Sequence, residues 1–170
     1  MKASFLGDHM KKITFNPIGT IHSPFNDLKG MPIQPPGAKG AAGRVELLPE
    51  YEGGLKDLDG FSHVIIVYIF HRASGYILSV KPFMDSQTHG LFATRAPKRP
   101  NPIGLSVVKL TRIAGPTLYV ENIDVLDGTP LLDVKPYVPE FDHPSGPIST
   151  GWLEKAKGLV EEKRSDSRFR

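Results

Sequence analysis

Phe61 to Phe70, Phe-Ser-His-Val-Ile-Ile-Val-Tyr-Ile-Phe, is the stretch on which the fold turns. Its β-branched and aromatic residues run almost unbroken and without a helical period. It reads as a strand buried on both faces. Val64 to Phe70, the longest apolar run in the chain, is far too short to span a bilayer. On its N-terminal side, Ile13 to Ile21 reads as a strand interrupted by Pro17, and Arg44 to Leu48 alternates as another. Between them, Ser23 to Gly43 is a long loop rich in proline and glycine, and loops of that length are usually functional or disordered. Tyr51 to Asp59 suits a short helix or turn. On the C-terminal side, Tyr76 to Phe83, Gly104 to Ile113, Leu118 to Val125 and Leu131 to Tyr137 read as strands. Gly115-Pro116 and Asp127-Gly128-Thr129-Pro130 are turns by their chemistry. Glu140 to Gly151 reads as loop. Trp152, Leu153, Ala156, Leu159 and Val160 then fall at helical spacing behind Thr150 as N-cap. About seven short strands and one late helix predict an all-β, mostly antiparallel barrel or sandwich with a C-terminal helix.

The 170 residues suit one domain with its own core. Residues 1–10 look unlike the rest and read as a leader or start-site artefact, with Met10 as an alternative start. Residues 11–150 form the β domain, and 151–170 the helix and a charged tail. Hydrophobic residues at 39% and charged residues at 23% describe an ordinary soluble globule. The absence of cysteine excludes disulfides, thiolate metal sites and a cysteine nucleophile, and it fits a reducing compartment. No signal-like apolar stretch opens the chain. The expectation is a cytoplasmic protein without a membrane partner. A net charge of +3 mildly favours an anionic partner.

The most constrained stretch is Phe92 to Ser106, Phe-Ala-Thr-Arg-Ala-Pro-Lys-Arg-Pro-Asn-Pro-Ile-Gly-Leu-Ser. Arg95, Lys98 and Arg99 sit among Pro97, Pro100 and Pro102. Each proline fixes its own φ and pushes the preceding residue toward extended geometry. Such a loop loses little entropy on folding and can hold Arg95, Arg99 and Asn101 in set directions. Composition leaves two readings level: a preformed polar site for an anion or nucleic acid, or a stiff surface connection.

Other chemistry is less marked. Gly37, Gly40 and Gly43 precede a strand and match neither a dinucleotide fingerprint nor a P-loop, so they read as flexible loop. The histidines show no metal-ligand spacing. His71-Arg72, at a strand end, suits either a ligand contact or an ordinary surface pair. Asp127 and Asp133 are available as an acid–base pair. Asp127 is also explained by its turn, and Asp133 by an ion pair with Lys135.

Four blocks resemble the TrmO/TsaA-like family of S-adenosylmethionine-dependent tRNA methyltransferases: Ile18 to Phe25, Leu58 to His63 with His71-Arg72, Phe92 to Ser106, and Leu126 to Tyr137. They span residues 18 to about 142. The resemblance implies a β-barrel, a homodimer, and methylation of N6 on threonylcarbamoyl-adenosine beside the anticodon of tRNA. It implies a cofactor held by Gln34, Pro35 and Pro36, by His71 and Arg72, by Arg95, by Leu105, and by Asp127, Gly128, Thr129 and Pro130. The chain departs from longer bacterial members by ending soon after the barrel and in Lys81 to His89, which bears on how tRNA is held.

The chemistry of these residue types agrees. A guanidinium can grip the cofactor carboxylate bidentately. Adenine N6 is a weak nucleophile, so either a base takes its proton or an acceptor orients its lone pair. Asn101 and Asp133 are the candidates for that work, and Lys98 and Arg99 for the phosphates of the anticodon loop. Arg95 is expected partly buried, with Lys98 and Arg99 more exposed. No metal is expected. The alternatives are a non-catalytic RNA- or nucleotide-binding β-module, and a small-molecule methyltransferase on the same fold.

Overall fold

The structure, a computed structural model, describes residues 12–156, 158–166 and 168. Among them, the strands are β1 (Gly19–His22), β2 (Ala42–Leu47), β3 (His63–Ile69), β4 (Ser79–Val80), β5 (His89–Gly90), β6 (Ile103–Ala114), β7 (Thr117–Glu121) and β8 (Thr129–Pro136). Six of them close into an antiparallel barrel in the order β1-β2-β7-β6-β3-β8. Pairing of Gly19 with Leu131 and of Ile21 with Thr129 returns β8 to β1 and closes it. β4 and β5 pair apart as a small two-stranded sheet.

A closed barrel has one interior, so each strand buries every second side chain. That corrects the reading of β3 as buried on both faces. Val64, Ile66 and Tyr68 point inward and are buried, while His63, Ile65, Val67 and Ile69 are only half-buried. Ile21, Val45, Leu47, Val108, Leu110, Leu118, Val120 and Leu131 complete the core. The unbroken apolar run arises because the outer face is apolar too. Ile65 pairs with Val107, Val67 with Leu105 and Ile69 with Ile103. Of these, Leu105 is 49% and Ile103 37% exposed.

Register shifts at Val67/Tyr68 and between Leu110 and Arg112 mark bulges, which bend strands around a small barrel. The expected first strand shrinks to β1. The Tyr76 to Phe83 strand shrinks to β4, with Tyr76, Ile77 and Leu78 left exposed. β7 stops at Glu121 because Asn122 turns the chain at φ 65°. Two 3₁₀ helices, Pro49–Leu55 and Leu58–Gly60, occupy the segment expected to be helix or turn. The helix expected from Trp152 onward takes the form of a 3₁₀ segment, Gly151–Ala156, followed by turns; Lys157 lies outside the described residues. A four-residue helix, α1 (Pro139–Asp142), lies in the segment read as loop. The leader, residues 1–10, also lies outside the described residues.

Candidate functional site

The ends of β1 and β3, the starts of β6 and β8, and the turn after β7 meet at one end of the barrel. The long loop and the proline-locked loop gather over it. Together they enclose a cleft of about 1220 Å³ whose lining includes Met31, Gln34, Phe70, Arg95, Asp124 and Thr129. The structure thus brings together Gln34, Pro35, Pro36, His71, Arg72, Arg95 and Thr129 from four separate parts of the chain.

The long loop is ordered by ties at both ends. Pro35–Ala38 winds into a 3₁₀ turn. Arg95 donates from Nη1 to Gln34 Oε1 at 3.0 Å, joining it to the signature loop. Behind it, Ser165 holds Met31 through N–H to Oγ at 2.9 Å and N–H to O at 2.9 Å.

The signature loop is stapled from within. Thr94 Oγ1 donates to Leu91 O at 2.8 Å, and Arg99 Nη1 donates to Thr94 O at 3.0 Å. The Arg99 guanidinium also stands over the Phe92 ring at 5.7 Å. This reverses the expected order of exposure: Arg95 is exposed, whereas Lys98 and Arg99 are half-buried. The fork of Arg99 serves the loop's own carbonyls, and the signature cation that lines the cleft is Arg95.

His71 follows β3. Thr129 Oγ1 gives its hydrogen to Leu126 O at 2.7 Å, so the 3.2 Å contact with His71 Nδ1 makes Nδ1 the donor. The lone pair of the ring is then on Nε2. Burial, with Arg72 adjacent, pushes the His71 pKa down, which favours this neutral form.

Sequence reasoning missed the floor of the cleft. Ser106 and Thr129 are the buried polar residues among those described, and both lie at this end of the barrel. Ser106 Oγ donates to Asp124 Oδ1 at 2.6 Å, and the Tyr68 hydroxyl lies 3.1 Å from the same Oγ. Since Ser106 spends its hydrogen on Asp124, Tyr68 donates to Ser106. Burial pushes the Asp124 carboxyl up to about 6, against the opposing pull of the Ser106 hydrogen bond and of Arg95. Burial also pushes the Tyr68 hydroxyl up, with Asp124 adding to the effect, so it stays protonated.

Several candidates stand apart from the cleft. Asp133 is paired with Lys135 at 2.6 Å and accepts the Val134 N–H at 2.9 Å, in a separate groove. That arrangement sets Asp133, expected to do acid–base work, apart from the cleft. Asn101 is exposed, with its carbonyl accepting the Ile103 N–H at 2.8 Å. Leu105 points outward from the barrel. Asp127 accepts the Ser23 N–H at 3.0 Å and lies 3.3 Å from His22 Nδ1. With Gly128 at φ 73°, it shapes the turn that starts β8, and only Thr129 of that quartet lines the cleft. Among the described residues no cluster of His, Asp and Glu stands ready to hold a metal ion, and no helix is long and apolar enough to cross a membrane.

Fold and site define a small antiparallel barrel with a cleft for a partly apolar, partly anionic small molecule, roofed by a cationic loop. Comparison with known proteins narrows this. Residues 20–143 match the family model described as the tRNA-methyltransferase O N-terminal domain. The chain belongs to that family. It is 54% identical over 157 residues to a probable S-adenosyl-L-methionine-binding protein of Pyrococcus abyssi, covering 92% of this chain and 85% of that one. It is 36% identical over 135 residues to the human tRNA (adenine(37)-N6)-methyltransferase, covering 75% of this chain but only 31% of the human protein. The crystal structure of TrmO from Pseudomonas aeruginosa superposes with a TM-score of 0.70 at 40% identity, over 84% of this chain and 63% of that one.

Proposed function

We propose that the protein is a methyltransferase that uses S-adenosylmethionine to methylate N6 of threonylcarbamoyl-adenosine 37 in tRNA, the position that the human relative's name specifies. The observation that carries this reading is the convergence of Gln34 to Pro36, His71, Arg72 and Arg95 on one cleft, from loops far apart in sequence.

The cleft suits the cofactor. Met31, Ile33, Pro35, Phe70 and Leu126 supply apolar walls for a purine, and Arg95 with Arg72 supplies positive charge for a carboxylate. When bound, S-adenosylmethionine supplies an electrophilic methyl group. The protein's own residues hold the two reactants at bonding distance, where positioning contributes most of the rate. Neutral His71 offers an acceptor on Nε2 inside the cleft. At the cleft's edge, Phe92 at 76%, Leu78 at 61% and Tyr76 at 60% are exposed on segments tied together by Ile77 N–H to Lys98 O and Leu91 N–H to Leu78 O. Aromatic faces among cations suit the splayed bases and phosphates of a single-stranded loop. Asn101 and Leu105 act from outside the cleft of one protomer. The outer apolar face of β3 and β6, where Leu105 lies, is the surface for a homodimer, since a contiguous exposed apolar patch marks an interface.

The decisive experiment is mass spectrometry of tRNA nucleosides from cells with and without the gene. Loss of the methylated threonylcarbamoyl-adenosine on deletion is the expected result. An unchanged nucleoside profile overturns the substrate.

A further inference from the structure

Asp124 is the one carboxylate in the described structure that lines the cleft and is anchored by a buried hydrogen-bonded chain. Its position follows from the barrel. On β3 the inward residues are Val64, Ile66 and Tyr68; on β6 they are Gly104, Ser106, Val108 and Leu110. Both sets are apolar toward one end and polar at the other, so Tyr68 and Ser106 meet beneath the cleft. Gly104 leaves room for the Tyr68 ring: a Cβ there would lie 2.2 Å from Cε2. Asp124 follows β7 and comes down onto Ser106. A buried polar chain costs stability unless each member is satisfied, and here each is. Tyr68 gives to Ser106, and Ser106 gives to Asp124 Oδ1. Asp124 itself lines the cleft, which puts its carboxylate within reach of a bound reactant.

We infer, resting on the proposed function, that Asp124 Oδ2 takes the proton from the nucleophilic nitrogen during methyl transfer, and that Ser106 and Tyr68 are the residues that position it. As the nitrogen's pair forms the N–C bond, the C–S pair stays with sulfur and the N–H proton passes to Oδ2. The half-buried carboxyl then returns that proton to solvent through the open cleft. The charged and titratable groups around Asp124 are Arg95 and Tyr68. Arg95 helps to keep the carboxylate ionised. The Tyr68 hydroxyl stays protonated and donates to Ser106.

The test uses the full chain, S-adenosylmethionine, and tRNA that carries unmethylated threonylcarbamoyl-adenosine. Asp124→Asn should lower kcat by about 10²–10⁴-fold, the usual contribution of a general base. Cofactor affinity by calorimetry should stay within about twofold, because the residue acts on the proton and not on the cofactor. Ser106→Ala keeps the carboxylate and removes the donor that stabilises its anion. It should therefore move the acidic limb of the kcat–pH profile to higher pH. The same shift should appear in the Asp124 carboxyl carbon resonance of the cofactor-free protein, a readout independent of activity. Asp124→Asn with kcat intact overturns the inference. So does Asp124→Asn with cofactor affinity down more than about tenfold and kcat intact at saturation, which would make Asp124 a cofactor ligand. An unmoved limb in Ser106→Ala also overturns it, and that variant keeps the test open should Asp124→Asn not fold. A wild-type chain that binds the cofactor yet methylates no tRNA overturns the functional reading, and this inference with it. An active wild type with an unimpaired Asp124→Asn overturns the inference alone.

Discussion

Alanine at Gly104 tests how tightly the floor of the cleft is built. Gly104 is buried opposite Tyr68 in the β3/β6 ladder. An added Cβ would lie 2.2 Å, 2.5 Å and 2.8 Å from three atoms of the Tyr68 ring. Carbon atoms at rest stay about 3.5–4 Å apart, so the ring must shift by about an ångström. It has little room to do so. Tyr68 is 4% exposed, packs edge-on against Phe70 at 5.4 Å, and is tied to Ser106 at 3.1 Å. Overpacking costs about 1–3 kcal/mol. Loss of the hydrogen bond adds about 0.5–1.5 kcal/mol. Against these, alanine in a strand gains about 0.5–1 kcal/mol over glycine. The expected net loss is about 0.5–4 kcal/mol. Urea unfolding should show it as a lower midpoint at unchanged slope. In a Tyr68→Leu background the obstacle is gone, and Gly104→Ala should cost almost nothing there. A loss below about 0.5 kcal/mol in the wild-type background means that the Tyr68 ring yields to the added methyl, contrary to this packing, as does an equal loss in both backgrounds.

Other outcomes follow from the same geometry. Arg95→Ala should weaken S-adenosylmethionine binding by about 1.5–3 kcal/mol in calorimetry, the scale of a charge-assisted bond, and should release the Gln34 tie at the same time. Lys98→Ala should leave cofactor binding intact and reduce the salt slope of tRNA binding by about one phosphate contact. Leu105→Lys on the outer apolar face should shift light scattering from dimer to monomer at micromolar concentration; a wild-type chain found only as monomer removes the dimer. The pH dependence of stability has a definite sign. With the Asp124 carboxyl raised from 3.8 to about 6, the folded protein keeps a proton that the unfolded chain has already released. The stability this adds is complete below pH 3.8 and is lost as pH rises through about 6. Asp124→Asn should flatten that fall in thermal or urea unfolding between those limits.

Much of the barrel was legible because strands announce themselves by period and by turn chemistry. β6, β8 and the turns at Gly115 and Gly128 lie close to where the sequence puts them. β3 was found but misread, because an apolar outer face makes the run look like a strand buried on both sides. Tyr76 to Phe83 alternates as a strand does, yet only Ser79 and Val80 find a partner, in β5. Periodicity reports what a segment would bury, not whether a neighbour exists to pair with it. At the C-terminus, helical spacing competed with a backbone partner: Ser165 exchanges hydrogen bonds with Gly30 and Met31, and the chain runs along the long loop instead.

The site divides by the range of its contacts. Gln34 to Pro36, His71-Arg72 and Arg95 come together in the sequence only through the family resemblance, and the fold brings them to one cleft. The order of exposure among the signature's cations is the reverse of that expected, for a local reason that sequence does not display. Once Pro97 and Pro100 bend the loop, Arg99 reaches back to Thr94 O and Ala96 O, and a cation spent on its own loop is less available to phosphate. Asp124 left no motif at all, because Ser106 stands 18 residues from it along the chain and Tyr68 a further 38 from Ser106. A signal was nevertheless present in the strands. β6 carries a lone serine among its inward residues, and β3 a lone tyrosine at its end. A barrel interior tolerates such groups only when they satisfy each other. Two polar inward residues on paired strands, two steps apart in register, therefore point to a third group that completes the chain. In this fold, that third group is the carboxylate at the cleft.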